Sequence, residues 1–337
     1  MSRRPRVLIV DDSAFARTVL SRILRATGAI EVIGTARDGV DALEKITSLD
    51  PDVVTLDLTM PELDGLGVLR ALHGRSRPRV LVVSISGIET ELGGEALALG
   101  AVDIVTKPTA VASDRLHELG AQLVAKVTAA AASFVEPVPV EVARARRVGP
   151  PVELIVVGTS TGGPQALTLL TGALPADLAA PVVMVLHIPI GYTEALAARL
   201  DKGSKLEVVE AHDGLVLRRG LVVLARAGMQ CAVRREGTVL RIQLSHQPVA
   251  PFMPSVDELF ASAAVAVGPA VLGVVLTGMG DDGLIGARAI AAAGGALLTE
   301  AASTCVVYGM PRCVYDAGLE AEAVPLDRMA EEIAKRA

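Results

Sequence analysis

Aromatic residues are scarce in this sequence of 337 residues: it contains no tryptophan, three tyrosines and four phenylalanines. Its core must therefore be filled by aliphatic side chains, and 51% of the residues are hydrophobic. Valine, leucine, isoleucine and alanine typically fill buried parallel strands that are covered by helices on both faces. The composition favours an α/β fold, and the length predicts two domains.

Cysteine is also rare. Cys231, Cys305 and Cys313 are odd in number and lack the spacing of a zinc site. We interpret them as free thiols in a reducing compartment, which predicts a cytoplasmic protein.

Excess positive charge and long apolar segments are missing as well. The formal net charge of -6 argues against a nucleic-acid-binding protein. The N-terminus MSRRPRVLIVDDS reaches acidic residues too early for a signal peptide. Residues 259–280 carry no charge, but Gly268 and Pro269 divide them into a helix pattern and a strand pattern. We expect two buried elements there and no membrane insertion.

Short apolar runs alternate with amphipathic stretches along most of the chain. The first half contains RVLIV, EVIGTA, DVVTLD, RVLVVS and VDIVTK, and the second contains LIVVG, VVMVLHI, VLGVVLT and GALLTE. This alternation predicts βαβ units with parallel sheets. The segment LVVLARAGMQCAVRREGTVLRIQLS predicts an inserted β-hairpin that turns at EGT.

A stretch rich in proline and arginine, FVEPVPVEVARARRVGPP, separates the two halves and predicts a linker. We therefore assign a first domain to residues 1–125, a linker to 126–151 and a second domain to 152–337.

Three carboxylates follow strands of the first domain. Asp11 and Asp12 end the first predicted strand, Asp57 ends the third, and Ser84 and Lys107 end the next two. The carboxyl ends of parallel strands meet at one edge of a sheet, and clustered carboxylates there suit Mg²⁺. This group of residues can accept a phosphoryl group onto a carboxylate. As single residues, each could instead be a helix N-cap.

The first domain resembles the response-regulator receiver family in VDDS, DLTMPELDG, Ser84 and TKP. The resemblance implies a flavodoxin-like fold with a five-stranded parallel sheet. It also implies that Asp57 is the phosphoacceptor and that Asp11, Asp12 and Asp57 hold Mg²⁺. Ser84 and Lys107 would bind the phosphoryl group, and a histidine kinase would be the phosphodonor.

The second domain opens with GTSTGG, which can be compared with three motifs. The spacing of Gly158, Gly162 and Gly163 does not fit the dinucleotide fingerprint GxGxxG. A phosphate-binding P-loop requires a lysine after its last glycine, and Pro164 follows here. The pattern G-x-S-x-G is met by Gly158, Ser160 and Gly162, so that Ser160 is either a nucleophile or part of a helix start made of small residues.

A serine nucleophile requires a base and an orienting acid. His187 ends the strand VVMVLH, whereas the other histidines lie in polar, loop-like or turn contexts: His73, His117, His212 and His246. Asp281 and Asp282 follow the strand VLGVVLT, and either of them could instead cap the next helix. The order Ser, His, Asp differs from the order Ser, Asp, His of α/β-hydrolases.

The second domain resembles the catalytic domain of the chemotaxis protein-glutamate methylesterases, the CheB family. The matching segments are GTSTGGP, HIP, PSVDELF, LTGMGDDG and VVYGMPR. The resemblance implies an α/β domain with a mainly parallel sheet. By position, Ser160 would be the nucleophile, His187 the base and Asp282 the orienting acid, and Thr161 and Met279 would line the site.

Four departures from these families concern readout and substrate binding. Thr59 replaces a glutamate, and Ile104 stands where the receiver family has a switching aromatic residue. Leu186 replaces the glutamine before the histidine, and ARAGMQCAV lacks a proline and a histidine that the family has in the matching loop.

The combined resemblance implies a phosphorylation-activated hydrolase. It would release methanol from glutamate methyl esters of chemoreceptors, deamidate receptor glutamines and need no cofactor for the ester reaction. Two alternatives are a phosphorylation-dependent docking module without catalysis and a related esterase that serves another sensory array.

Overall fold

The computed structural model describes residues 3–75, 77–85, 90–107, 113–132 and 150–337. The chain divides into two compact units, Met1–Phe134 and Val135–Ala337. The last helix of the first unit continues to Ala132, so that positions 126–132 of the predicted linker are helical. Positions 133–149 lie outside the described residues.

The first unit alternates strands and helices. Its strands are β1 (Arg6–Val10), β2 (Glu31–Ala36), β3 (Val53–Leu56), β4 (Arg79–Ile85) and β5 (Asp103–Lys107). Its helices are α1 (Ala14–Ala26), α2 (Gly39–Leu49), α3 (Gly65–Leu72), α4 (Thr90–Ala98) and α5 (Ser113–Ala132). The five strands form a parallel sheet in the order β2-β1-β3-β4-β5, as predicted.

The side chains of Ser13, Asp38 and Asp64 cap the first three helices of this unit by accepting backbone N–H hydrogen bonds. Central strands β1 and β3 pair directly, with Val10 opposite Leu56. The residues that follow these two strands therefore emerge side by side at one edge of the sheet.

The second unit is larger. Its strands are β6 (Leu154–Thr159), β7 (Val182–Leu186), β8 (Glu207–Glu210), β9 (Val216–Leu217), β10 (Leu221–Leu224), β11 (Gln230–Glu236), β12 (Val239–Ser245), β13 (Val271–Val275), β14 (Ala296–Glu300) and β15 (Glu322–Val324). Its helices are α6 (Gly163–Ala173), α7 (Thr193–Gly203), α8 (Val256–Val267), α9 (Leu284–Ala292), α10 (Met310–Asp316) and α11 (Leu326–Ala334).

Seven of these strands form one parallel sheet in the order β15-β14-β13-β6-β7-β10-β8. The predicted hairpin is present as β11 and β12, which pair antiparallel and continue to β9 in a separate three-stranded sheet. The prediction of a mainly parallel sheet with an inserted hairpin is confirmed.

The parallel sheet has a core on each face, because successive strand side chains point to opposite sides. Ile155 and Val157 of β6 join a cluster with α6, α7 and α11. Val156 joins a second cluster with α8, α9, α10 and the hairpin. Strand β6 is buried along its whole length, which explains its nearly continuous apolar sequence.

The uncharged stretch 259–280 folds as predicted into two buried elements, most of α8 and the strand β13, separated by a 3₁₀ turn at Gly268–Ala270. Among the described residues, no helix combines the length and the apolar composition that crossing a bilayer requires.

Candidate active site and phosphorylation site

Ser160 stands at the tip of the central strand β6, immediately before the turn into α6. Its backbone N–H donates to Thr277 O at 3.1 Å, and its own carbonyl accepts from Gly163 N–H at 2.7 Å. Gly162 precedes the helix with φ of 82°, a left-handed conformation that glycine adopts without a steric penalty. Ser160 is 7% exposed. The motif therefore forms the sharp strand-to-helix turn that G-x-S-x-G predicts.

The other small residues of this turn permit close packing. A Cβ on Gly158 would lie 2.2 Å from Val256 Cγ1, and one on Gly163 would lie 2.5 Å from Leu186 Cδ1. The start of α8 thus packs directly onto β6, on the face toward which even-numbered residues of that strand point.

His187 follows strand β7, the neighbour of β6. Thr159 and Leu186 are paired across these strands, so that Ser160 and His187 are the next residues along each. The imidazole Nε2 lies 2.8 Å from Asp282 Oδ2. The ring stacks on Phe252, with centroids 4.1 Å apart and the ring planes 3° from parallel. The side chain of His187 is 9% exposed.

Asp282 arrives from the other neighbour of β6, in the loop after β13. Its carboxylate accepts from His187 and, at the N-terminus of α8, from Ser255 Oγ and the N–H groups of Val256 and Asp257, at 2.7–3.0 Å. Burial raises the pKa of this carboxyl, but the hydrogen bonds from His187 and the two N–H groups outweigh burial and hold the pKa below its usual value. Asp282 therefore stays ionised beside the imidazole.

We considered that Asp281 or Asp282 could cap the helix that follows it. Instead, an aspartate beside each of the two helices α8 and α9 caps the start of the other. Asp282 caps α8, while Asp257 Oδ1 of α8 accepts from Gly283 and Gly286 N–H at the start of α9. Burial raises the pKa of Asp257, and the nearby negative charge of Asp282 adds to this. The exchange ties the two helix starts to each other.

The structure thus joins His187 to Asp282 and places Ser160 on the adjacent strand tip. The hydrogen bond between Ser160 Oγ and the imidazole is not formed, since His187 Nδ1 is buried and has no hydrogen-bond partner in the described part of the chain. Because Nε2 is committed to Asp282, Nδ1 is the ring nitrogen that remains to act on the serine. This is the reverse of the arrangement in chymotrypsin, where Nδ1 faces the acid.

A second buried layer supports the serine turn. Thr277 O accepts from Ser160 N–H and from Thr159 Oγ1, while Thr277 Oγ1 donates to Thr161 O at 2.9 Å. Thr277 N–H in turn donates to the carboxylate of Glu300 at 2.8 Å. Thr161 is fully buried and Met279 is partly buried in the loop after Thr277.

Two departures noted in the sequence have different structural meanings. Leu186 is fully buried in the cluster with α6 and α7, on the opposite face of the sheet from α8. In ARAGMQCAV, Gln230 is buried and bonds the loop before α8, donating to Pro248 O and Phe252 O and accepting from Ser255 N–H.

Sequence patterns did not reveal Phe252, Ser255, Gln230 or Glu300. Phe252 and Ser255 follow the hairpin in a loop without periodicity, and their partners are distant in sequence. The one signal was the capping pattern of PSVDELF, where Ser255 accepts from Glu258 N–H.

In the first unit, the predicted acidic site forms at the edge where β1 and β3 end. Asp11, Asp12 and Asp57 each offer a carboxylate oxygen within 4.8 Å of the others. Lys107 Nζ lies 2.7 Å from Asp11 Oδ2 and 2.7 Å from Asp57 Oδ2. Burial lowers the pKa of Lys107, but the two carboxylates raise it by more, so that it remains charged.

The remaining predicted residues of this site are also placed. Ser84 is fully buried near the end of β4. Thr59 is exposed just after Asp57, and Ile104 is fully buried in β5. Oxygen ligands held beside a lysine fit Mg²⁺, which prefers a few carboxylates together with water and phosphate oxygens.

Comparisons with known proteins give matches to both units. The family model of the CheB methylesterase matches residues 155–333, and the model of the response regulator receiver domain matches residues 7–119. A protein-glutamate methylesterase/protein-glutamine glutaminase 5 of Myxococcus xanthus is 56% identical over 332 residues, which cover 96% of this chain and 95% of that protein.

A protein-glutamate methylesterase/protein-glutamine glutaminase of Symbiobacterium thermophilum is 45% identical over 355 residues, covering 99% of this chain and 97% of that protein. Among solved structures, the CheB methylesterase catalytic domain of Thermotoga maritima is similar, with a TM-score of 0.53 and 34% identity. That likeness covers 55% of this chain and 98% of the solved one.

Proposed function

The chain belongs to the CheB methylesterase family and carries a response-regulator receiver domain, and on this basis we propose a phosphorylation-activated serine hydrolase. Its substrates are glutamate methyl esters of chemoreceptors, from which it releases methanol, and receptor glutamines, which it deamidates. It acts in sensory adaptation. Within it we assign the receiver to residues 1–132, which end with α5, the linker to 133–151 and the catalytic domain to 152–337.

We assign the chemistry to Ser160, His187 and Asp282. As Ser160 Oγ bonds to the ester carbonyl carbon, its proton moves to His187 Nδ1. Asp282 holds the imidazole through Nε2 and stabilises the positive charge that forms on the ring. When the ester C–O bond breaks, Nδ1 returns the proton to the leaving oxygen and methanol departs. Water then hydrolyses the acyl-enzyme, with Nδ1 again as base; from a glutamine the leaving group is ammonia.

Backbone N–H groups of the turn would stabilise the tetrahedral oxyanion. Gly162 N–H donates to no acceptor among the described residues, and it lies two residues after the nucleophile. Losing one such donor raises the reaction barrier by about 2.7–4 kcal/mol. Thr161 and Met279 would line the same space.

We assign the regulatory chemistry to the first unit. Asp57 would accept a phosphoryl group from a histidine kinase, with Ser84 and Lys107 binding its oxygens. Asp11, Asp12 and Asp57 would hold Mg²⁺, which supplies positive charge for phosphoryl transfer. Phosphorylation adds about 1.5–2 negative charges to the domain, enough to change how it contacts another surface.

The observation that supports the esterase proposal most strongly is the bond of 2.8 Å between His187 Nε2 and Asp282 Oδ2, at a strand tip next to that of Ser160. The test is methanol release from methylated receptor membranes by the full chain, with and without a small-molecule phosphodonor. Wild type should release methanol, faster with the phosphodonor, and Ser160→Ala should release none above background. Activity in the alanine variant would overturn the serine mechanism, and an inactive wild type would favour the docking module.

A further inference from the structure

Within the described part of the chain, the imidazole of His187 has one hydrogen bond and one aromatic neighbour. Its Nε2 bonds Asp282, and its face lies against Phe252 at 4.1 Å. Its attachment to Cβ and its single hydrogen bond at Nε2 leave the ring able to turn about the line that joins these two points. Contact with a parallel ring removes that freedom, so Phe252 sets the plane in which Nδ1 points.

Phe252 is itself only partly buried. It is 38% exposed, and it lies in the loop between β12 and α8. The hydrogen bonds of that loop fix the backbone from which its ring projects. Apart from the bonds made by Gln230, the loop is also held by the hydrogen bond from Gly228 N–H to Met253 O, at 2.8 Å.

Gln230 supplies most of these bonds. It is 2% exposed at the start of β11. Its Nε2 donates to Pro248 O at 3.2 Å and to Phe252 O at 3.1 Å, and its Oε1 accepts from Ser255 N–H at 2.9 Å. One buried amide thus fixes both ends of the segment that carries Phe252.

The same amide reaches the acid of the site. Gln230 accepts a hydrogen bond from the N–H of Ser255, and the hydroxyl of Ser255 donates to Asp282 Oδ1 at 2.9 Å. Gln230 is therefore connected to His187 along two routes, through the ring of Phe252 and through Ser255 and Asp282.

We propose that Gln230 is a positioning residue for the catalytic base, acting through Phe252. Building on the hydrolase function proposed above, Gln230 holds the ring of Phe252 flat against the imidazole, so that Nδ1 faces Ser160 while Nε2 stays on Asp282. The aromatic face also favours the positive charge that the imidazole acquires during attack, since cations are attracted to the faces of aromatic rings.

The test compares Gln230→Met, Phe252→Leu, the double variant and Phe252→Tyr in the full chain activated by a phosphodonor. Gln230→Met keeps the length of the side chain and removes its three hydrogen bonds, and Phe252→Tyr keeps the stacked ring. Gln243→Met is the matched control: Gln243 lies on the adjacent strand, is exposed, and bonds Arg234.

A misplaced catalytic group costs on the order of tenfold to a hundredfold in rate, so kcat for methanol release should fall by about that factor in Gln230→Met and in Phe252→Leu. KM should remain near the wild-type value, Phe252→Tyr should lose less of kcat than Phe252→Leu, and Gln243→Met should retain the wild-type kcat. The double variant should be no slower than the slower single variant, because both changes release the same ring.

A spectroscopic measurement makes the outcome independent of substrate. Stacking on Phe252 should shift the ring protons of His187 upfield in the NMR spectrum of histidine-labelled protein, with His187→Gln identifying the signal. The shift should disappear in Phe252→Leu and in Gln230→Met and persist in Gln243→Met.

Retention of that shift and of kcat in Gln230→Met would overturn the proposal. So would a double variant whose loss equals the product of the two single losses. If wild type releases no methanol, the proposed function fails, and the ring-proton shift still decides whether Gln230 positions His187.

Discussion

At the scale of single residues, the proposed active site is defined by which nitrogen of His187 bonds Asp282. Asp282 is hydrogen-bonded to Nε2, and its carboxylate also accepts hydrogen bonds from Ser255 and from the backbone of α8. An ionised carboxylate thus holds the imidazole at Nε2, and Nδ1 is the nitrogen left to accept a proton. Proton transfer requires Ser160 Oγ to approach that nitrogen.

Glu300 is the residue for which a dependence on pH can be predicted. It is fully buried and accepts a hydrogen bond from Thr277 N–H. Burial raises its pKa to about 7, from an ordinary value of 4.5. Between these two values the folded state keeps the proton that the unfolded state has lost, so stability falls as pH rises through this range and is lowest above about pH 7.

Glu300→Gln should remove this loss, because an amide oxygen can still accept from Thr277 and carries no charge. Its advantage over wild type should grow from about pH 4.5 to about pH 7 and reach on the order of 3 kcal/mol. Denaturant unfolding of the full chain can be followed by tyrosine fluorescence, since Tyr192, Tyr308 and Tyr315 all lie in the second unit. Exposed Glu194→Gln is the control, and a difference that does not vary with pH would contradict the prediction.

At the scale of elements, the turn from β6 to α6 and the start of α8 form one packed structure. Gly158 admits the side chain of Val256, whose own N–H holds Asp282. An added methyl group at residue 158 must displace the start of α8 and, with it, the acid of the site.

Gly158→Ala should therefore destabilise the second unit by about 1–3 kcal/mol, the usual effect of overpacking, and should lower kcat as well. Gly203→Ala is the matched control, since a Cβ there has no neighbour within 4 Å. Tyrosine-monitored unfolding and methanol release give the two readouts. An unchanged unfolding midpoint in Gly158→Ala would contradict the prediction, because it would mean that α8 shifts with no loss in the free energy of unfolding.

The elements also indicate how far the sequence determines the structure. Both parallel sheets, the hairpin and the split at Gly268 follow from apolar periodicity and turn residues, which act locally. Ser160 and His187 could be predicted because each directly follows a buried strand of one sheet, and Asp282 because it lies in the loop after a neighbouring strand. The role of Gln230 could not be found, because its partners are carbonyls of a loop without periodicity. The exchanged caps of Asp257 and Asp282 were missed for a similar reason, since capping is ordinarily read within one helix.

At the scale of the whole molecule, the protein consists of two units with separate cores. The buried clusters on the two faces of the parallel sheet use residues from Leu154 onward, so the catalytic unit keeps its core without the receiver. Domains with their own cores can be separated.

A fragment that begins near Pro151 should hydrolyse receptor methyl esters faster than the unphosphorylated full chain, because the receiver can no longer restrain it. A phosphodonor should accelerate the full chain and leave the fragment unchanged. Methanol release by the two proteins at equal concentration measures the difference. Equal rates without the phosphodonor would exclude an inhibitory role of the receiver.

The exchange of carboxylates between α8 and α9 has a practical consequence for the design of an inactive variant that still binds its receptor. Replacing Asp282 removes the acceptor of three donors at the start of α8, so we expect such a variant to lose stability as well as activity. Ser160 takes no part in these capping hydrogen bonds, so a substitution there is the better choice for a variant that captures its substrate without turning it over.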